Sequence, residues 1–233
     1  MITAIDLRCE FLTRPLGIDV PQPRLSWTLW SDTRGQRQSA YRVPVASTPE
    51  LLAQDQADLW DTGKVDCDRT SQIVYGGRPL RSLQRCYWKV QVWDKGGQPS
   101  DWSEVSWWEM GILSPNEWQA KWVCAPIAEP APLFRKEFTV GAGLRRARAL
   151  ICGLGYYELY LNGERIGEQV LDPAQTDYDR RAFYVVHDVT SALHEGMNCV
   201  GVMPGQWLVP SGNRLGRNVL WRASVACAAG ARV

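Results

Sequence analysis

Residues 150–187, LICGLGYYELYLNGERIGEQVLDPAQTDYDRRAFYVVH, carry the reading that decides the fold. From Tyr156 to Leu161 the residues alternate. Tyr157, Leu159 and Leu161 therefore share one face of an extended strand, and Tyr156, Glu158 and Tyr160 the other. Asn162-Gly163 supplies the two positive-φ residues of a type I′ turn and folds the chain back as a hairpin. Asp172-Pro173 closes the outgoing arm, because proline disfavours helix at the residue before it and has no N–H to give a ladder. Three acids, Asp172, Asp177 and Asp179, occupy the loop before residues 183–186 resume the sheet.

Outward from this stretch the pattern stays extended. Strands are expected at 134–140, 147–152, 183–187, 198–203 and 219–227, with at most a short helical turn from Val189 to His194 closed by Gly196. The sequence stops at Ala228-Ala-Gly-Ala-Arg-Val233, where a further strand is expected. A sandwich cut there exposes a sheet edge, so this half reads as an incomplete module of something longer.

The first half is also a series of short strands. Leu25–Leu29 alternates, as does Tyr41–Val45, where Pro44 indicates an edge or a bulge. Ser47-Thr48-Pro49-Glu50 has the form of a capping box with an early proline, opening one or two helical turns through Leu51 and Leu52. Residues 73–75 form another short strand. In 87–93, Trp88, Val90 and Val92 point inward while Tyr87, Lys89, Gln91 and Trp93 point outward. Asp94-Lys-Gly96-Gly97 then turns the chain into Trp102–Met110. Trp27 and Trp88 read as core; Trp93, Trp102, Trp107 and Trp108 are left open between core and interface. The fold class is all-β: a fibronectin III-like or immunoglobulin-like sandwich at 1–112, a proline-rich connector at 113–132 pinned by Trp118 and Trp122, and a second, jelly-roll-like sandwich at 133–233.

Lys plus Arg number 26 against 25 Asp plus Glu, a net charge of +1. That balance argues against nucleic acid or an anionic membrane as partner. Arg145, Arg146 and Arg148, the densest basic group, read as an outward strand face. There is no membrane-spanning apolar run and no signal-peptide pattern at the start. The seven cysteines lack CxxC or Cys/His spacing, which fits reduced, mostly buried thiols in a cytoplasmic protein. His187 and His194, the only histidines, carry no metal or nucleophile pattern. Gly153-Leu-Gly155 lacks the third glycine of a nucleotide loop.

Chemistry, if present, belongs to the polar loops. Glycoside hydrolysis needs two carboxyls, one protonated and one ionised. Asp172, Asp177 and Asp179 supply the residue type, yet aspartates in such loops more often accept backbone N–H bonds. The same side chains suit a hard cation such as Ca²⁺ or the hydroxyls of a sugar.

The run GLGYYELYLNGERIG (153–167), VLDP (170–173), TDYD (176–179), Val186–Thr190 and Asn198–Met203 resembles the N-terminal accessory sandwich of bacterial inverting α-L-rhamnosidases. Pro23–Trp27, Leu59–Val65 and Trp118–Trp122 resemble that family's leading fibronectin-like module. The resemblance implies a parent enzyme that hydrolyses terminal α-L-rhamnose from rhamnosides, with its catalytic carboxyls on a helical barrel outside this sequence. No catalytic residue, metal site or cofactor is then expected here. The partners would be that catalytic domain and L-rhamnose-containing glycosides. In some relatives the sandwich binds rhamnose through calcium, which nominates Asn162, Asp172, Asp177, Asp179 and Trp207 and leaves Ca²⁺ as an alternative. At Pro204–Trp207 the sequence departs from the family, which usually carries Asp or Asn before Gly-Trp; Gln206 precedes Trp207 here and removes an oxygen ligand. The rival readings are a free-standing pair of protein-interaction sandwiches and, last, an independent glycosidase.

Overall fold

Nine short strands and one helical turn build the first half of the computed structural model, which describes residues 2–124, 132–204 and 221–228. In order these are β1 (Ile2–Cys9), β2 (Arg24–Ser31), β3 (Ala40–Arg42), β4 (Pro44–Ala46), α1 (Pro49–Ala53), β5 (Trp60–Asp61), β6 (Ile73–Val74), β7 (Arg85–Trp88), β8 (Gln91–Trp93) and β9 (Ser106–Glu109). They form a β1-β2-β6 sheet, a β5-β4-β7-β9 sheet and a β3-β8 pair. Leu25, Trp27, Val43, Val45, Tyr75, Cys86, Trp88, Val90, Val92, Trp108 and Met110 are buried together between them. This is unit 1, Met1–Glu117; unit 2 is Trp118–Val233.

The inward parity of Trp88, Val90 and Val92 holds, but 87–93 is not one strand. The chain leaves β7 at Lys89-Val90 and joins β3 as β8, and its neighbour leaves β3 at Val43 and enters the four-stranded sheet as β4. A strand changing sheets loses ladder partners, and buried backbone donors left without partners are costly. A hydroxyl answers each break: Thr62 Oγ1 accepts from Val43 N at 2.9 Å, and Ser103 Oγ accepts from Val90 N at 2.9 Å. Pro44, with no N–H to lose, stands at the first break as a bulge would place it. It is not at an edge, since β4 lies between β5 and β7.

Lys89 is the second departure from strand parity. It is buried, its Nζ donating to Leu52 O at 3.0 Å and standing 4.3 Å from the Trp102 ring centroid. Helix α1 therefore covers the face that alternation leaves to solvent. The N-cap of α1 is Thr48, whose Oγ1 accepts from Leu51 N, and Pro49 occupies the first turn. Ser47 instead donates its hydroxyl to Asp58 at 2.8 Å, so the reciprocal capping box does not form. Trp108 is fully buried, whereas Trp93, Trp102 and Trp107 are half-buried beneath Lys64, Arg42 and Arg85.

Unit 2 contains β10 (Phe134–Val140), β11 (Arg146–Gly153), β12 (Tyr157–Leu161), β13 (Glu164–Ile166), β14 (Tyr184–Asp188), β15 (Gly196–Pro204) and β16 (Trp221–Ala228). Two sheets, β10-β15-β12-β13 and β14-β11-β16, face each other across a core of Phe138, Val140, Ala147, Ala149, Ile151, Tyr157, Leu159, Leu161, Val189 and Val202. The hairpin forms as the sequence indicates, with Leu161 opposite Glu164 and φ of 52° at Asn162 and 89° at Gly163. The returning strand, however, enters the opposite sheet: β14 pairs with β11, Val186 opposite Leu150. The loop 167–183 thus runs from the edge of one sheet to the edge of the other.

Strand β11 is buried on both faces. Arg148, read as outward, is 2 % exposed and pairs with its cross-strand neighbour Asp188 at 2.7 Å. Val189–His194 contains a single 3₁₀ turn (Thr190–Ala192), and Gly196 opens β15 at φ 91° rather than closing a helix. Trp118 stands edge-on to Tyr184 at 5.4 Å, fixing that part of the connector to unit 2. Among the described cysteines Cys9, Cys86 and Cys152 are buried, Cys67 and Cys199 half-buried and Cys124 exposed, all as free thiols. Burial pushes the Cys86 thiol up to about 12. Among the described residues no helix is long and apolar enough to cross a membrane.

Candidate functional site

Asn162 sits at the tip of the hairpin because its short amide tolerates left-handed backbone and bonds locally. Its Oδ1 accepts from Cys199 N at 2.9 Å, and its Nδ2 donates to Ala192 O and to Asn198 Oδ1, both at 2.9 Å. Asn198 is 1 % exposed and completes the network. Its Oδ1 also accepts from His194 N at 3.2 Å, and its Nδ2 donates to His194 O at 2.7 Å and Gly196 O at 3.0 Å. The two amides lock the β12–β13 turn to the start of β15. Both Nδ2 donors of Asn162 are occupied within the protein, and its carbonyl oxygen already accepts one bond.

Asp172 is half-buried and belongs to a polar cluster between the sheets. Its backbone carbonyl accepts from Tyr157 N at 3.0 Å. The Tyr157 hydroxyl lies 3.5 Å from Asp172 Oδ2 and 3.3 Å from His187 Nε2, and the carboxylate and imidazole are 3.8 Å apart. Tyr157 comes from β12, His187 from β14 and Asp172 from the loop between them, so the cluster ties both sheets to the loop. Gly167 permits the approach. It has φ +84°, and a Cβ there would stand 3.0 Å from His187 Cε1. Burial raises the carboxyl of Asp172 above its ordinary range, against the opposing pull of His187 and Tyr157. Burial likewise pushes Tyr157 up, so its hydroxyl stays a neutral donor. It holds the His187 imidazole below its usual value, although Asp172 pulls the other way.

Such a cluster fixes geometry: it holds the loop down. Because His187 titrates lower in the folded state, it contributes stability that is fully present above about pH 6.5 and is lost as pH falls from there through its lower folded value. Stability is therefore expected to decline below pH 6.5 with a slope from this group of at most about 1.4 kcal/mol per pH unit. The raised carboxyl of Asp172 acts oppositely and at lower pH, favouring the fold in acid. Urea midpoints between pH 7 and 5 test this: His187→Gln should flatten the slope, and an unchanged slope would remove His187 as its source.

Asp177 and Asp179 remain exposed. Asp177 organises a local turn: its carbonyl accepts from Arg180 N and Arg181 N at 2.9 Å, its Oδ1 from Asp179 N at 3.3 Å, and its Oδ2 lies 3.4 Å from Arg180 Nε. Tyr178, between them, has a buried hydroxyl without a hydrogen-bond partner among the described residues. Trp207 and Gln206 lie outside the described residues. Among the described residues, no three His, Cys, Asp or Glu side chains are grouped to hold a metal ion. The structure brings Asp172 to Tyr157 and His187, places Asn162 and Asp177 in separate backbone-capping roles, and leaves Asp179 exposed with its backbone N–H on Asp177. Strand parity held the missed signal: His187 shares the inward face of Val185 and Val189, as Tyr157 shares that of Leu159 and Leu161.

Residues 4–114 match the Rha78A-like, N-terminal immunoglobulin domain, and residues 142–230 match the alpha-L-rhamnosidase N-terminal domain. The chain matches the N-terminal region of the α-L-rhamnosidases. An α-L-rhamnosidase from Formosa agariphila is 34 % identical over 235 residues, covering 90 % of this chain and 24 % of its own length. One from Streptomyces avermitilis is 34 % identical over 218 residues, covering 83 % of this chain and 21 % of its own. The solved α-L-rhamnosidase from Dictyoglumus thermophilum superposes with a TM-score of 0.86 at 36 % identity, over 99 % of this chain and 28 % of that one. The S. avermitilis α-L-rhamnosidase complexed with L-rhamnose gives 0.51 at 29 % identity, over 100 % of this chain and 24 % of that one. The chain thus spans about a quarter of the α-L-rhamnosidases it matches.

Proposed function

We propose that this chain serves as the accessory region of an α-L-rhamnosidase whose complete form hydrolyses terminal α-L-rhamnose from rhamnosides, and that its two sandwiches scaffold the catalytic domain. One observation carries the reading: two N-terminal families fall consecutively on the chain, while relatives named for the activity are about four times as long. Two cores braced by buried polar ties suit a rigid platform. Sugar contact by the exposed Asp177 and Asp179, with or without Ca²⁺, belongs to the same proposal; the S. avermitilis α-L-rhamnosidase is itself solved in complex with L-rhamnose.

The test has two parts. The chain alone, incubated with a chromogenic α-L-rhamnoside, should give no turnover; steady turnover abolished by Asp177→Asn or Asp179→Asn would make it a glycosidase. Deleting the matching quarter from the F. agariphila relative should lower its soluble yield and thermal midpoint. If the shortened enzyme is as stable and active as the whole, the scaffold reading fails.

A further inference from the structure

Unit 1 carries a feature that neither the α-L-rhamnosidase reading nor the acidic loop uses. Where the two sheets end, β5 and β6 stand as edge strands, each paired on one side only. Beside them opens a cleft of about 480 Å³ lined by Tyr41, Trp60, Asp61, Arg69, Gln72 and Val74, with Thr62, Val65 and Ile73 behind them. That volume falls within the roughly 300–1,000 Å³ typical of small-molecule sites.

We propose that this cleft is a carbohydrate subsite that holds one pyranose of a glycan, a 6-deoxyhexose in particular. A pyranose offers a flat apolar face of C–H groups and a rim of hydroxyls, so its site needs an aromatic ring beside paired donors and acceptors. Trp60 supplies the ring. It is braced edge-on against Tyr75 at 5.3 Å, which fixes its plane, and it remains partly exposed. Asp61 accepts three bonds, two from Arg42 and one from Gly63 N, which leaves an acceptor position on Oδ2. Arg69 and Gln72 are exposed donors on the other side. Val65 and the half-exposed Val74 give the apolar corner that the methyl of a 6-deoxy sugar fills.

Gln72 adds an independent observation. It has φ +59°, left-handed backbone that a side chain larger than asparagine adopts at a cost, and its amide has no protein partner among the described residues. Strained non-glycine residues concentrate at ligand contacts. At Asn162, by contrast, the same backbone conformation is held by bonds to its own protein. The carbohydrate class follows from the cleft itself. The choice of a 6-deoxy sugar rests on the proposed function above, and the experiment separates the two.

The whole chain is titrated with methyl α-L-rhamnoside and methyl α-D-mannoside, followed by calorimetry and tryptophan emission. Saturable binding of the rhamnoside with a Kd on the order of 1 mM is expected, at least fivefold tighter than the mannoside. Gln72→Gly should weaken it tenfold or more while leaving the thermal midpoint unchanged or higher, since glycine adopts that backbone freely. Arg69→Met should weaken it with the fold intact. Equal binding of both glycosides keeps the carbohydrate subsite and overturns the 6-deoxy preference. The absence of saturable binding, or binding lost in Asp177→Asn but not in Gln72→Gly, overturns the subsite whether or not the accessory reading stands.

Discussion

Trp108→Ala is expected to destabilise unit 1 by about 3–5 kcal/mol, a fall in thermal midpoint of roughly 15–30 °C. Trp108 is fully buried and stands edge-on to Tyr75 at 5.9 Å and to Trp88 at 6.5 Å, with its Nε1 donating to Met110 Sδ at 3.2 Å. Tyr75 meets Trp60 in turn, so one aromatic relay runs from the four-stranded sheet to the cleft. Truncation opens a hole that β-sheet backbone on both sides cannot close, and the transfer and cavity costs add. The neighbouring Trp107 supplies the control. It is half-buried under Arg85 at 3.9 Å, and its replacement by alanine should cost only about 1 kcal/mol. Calorimetric scans of the two variants decide the matter; equal losses would mean that Trp108 is not the keystone its burial implies.

Asn198→Ala is expected to lower the stability of unit 2 by about 2–3 kcal/mol, large for removing one uncharged polar side chain. Replacement leaves His194 N, His194 O and Gly196 O without their partner and deprives Asn162 of one of its two acceptors. Each desolvated group of this kind costs about 1–3 kcal/mol, offset where solvent reaches it, as it does at exposed His194. Hydrogen exchange reads the effect directly. Amides of β12 and β15 should lose protection together by about two orders of magnitude, with β7 and β9 in unit 1 unchanged. Loss confined to residues 194–198 would show that the amide ladder is a local clasp rather than a joint between strands.

Local signals carried much of this architecture and long-range ones did not. Asn162-Gly163 announced its hairpin because both residues tolerate the required backbone, and Trp27 and Trp88 announced themselves by parity. The sheet changes at Val43 and Lys89-Val90 were not legible, because inward parity continues unbroken through Trp88, Val90 and Val92. What marks those breaks is a hydroxyl supplied from Thr62 and Ser103, far along the chain. Lys89 and Arg148 broke the outward-charge expectation for a related reason: each is covered by structure that its own strand does not specify. The acidic loop was legible as acidic and as a loop. Its division into one half-buried carboxylate and two surface acids depended on Tyr157 and His187, 30 residues apart in the chain and meeting only across two sheets. The side of the sandwich to which β14 returns has no signature in residues 183–187 at all.

The loop from Gly167 to Phe183 is moored at three places: the end of β13, the carboxylate of Asp172 and the start of β14. The span from Ala174 to Ala182 lies between the second and third of these, and chain inserted beside the exposed Asp179 and Arg180 leaves all three untouched. Doubling such a span costs only about 0.6 kcal/mol in closure entropy. This segment is accordingly where the domain can accept a foreign peptide or a longer natural variant without disturbing either wall, a ready graft point on an otherwise rigid support.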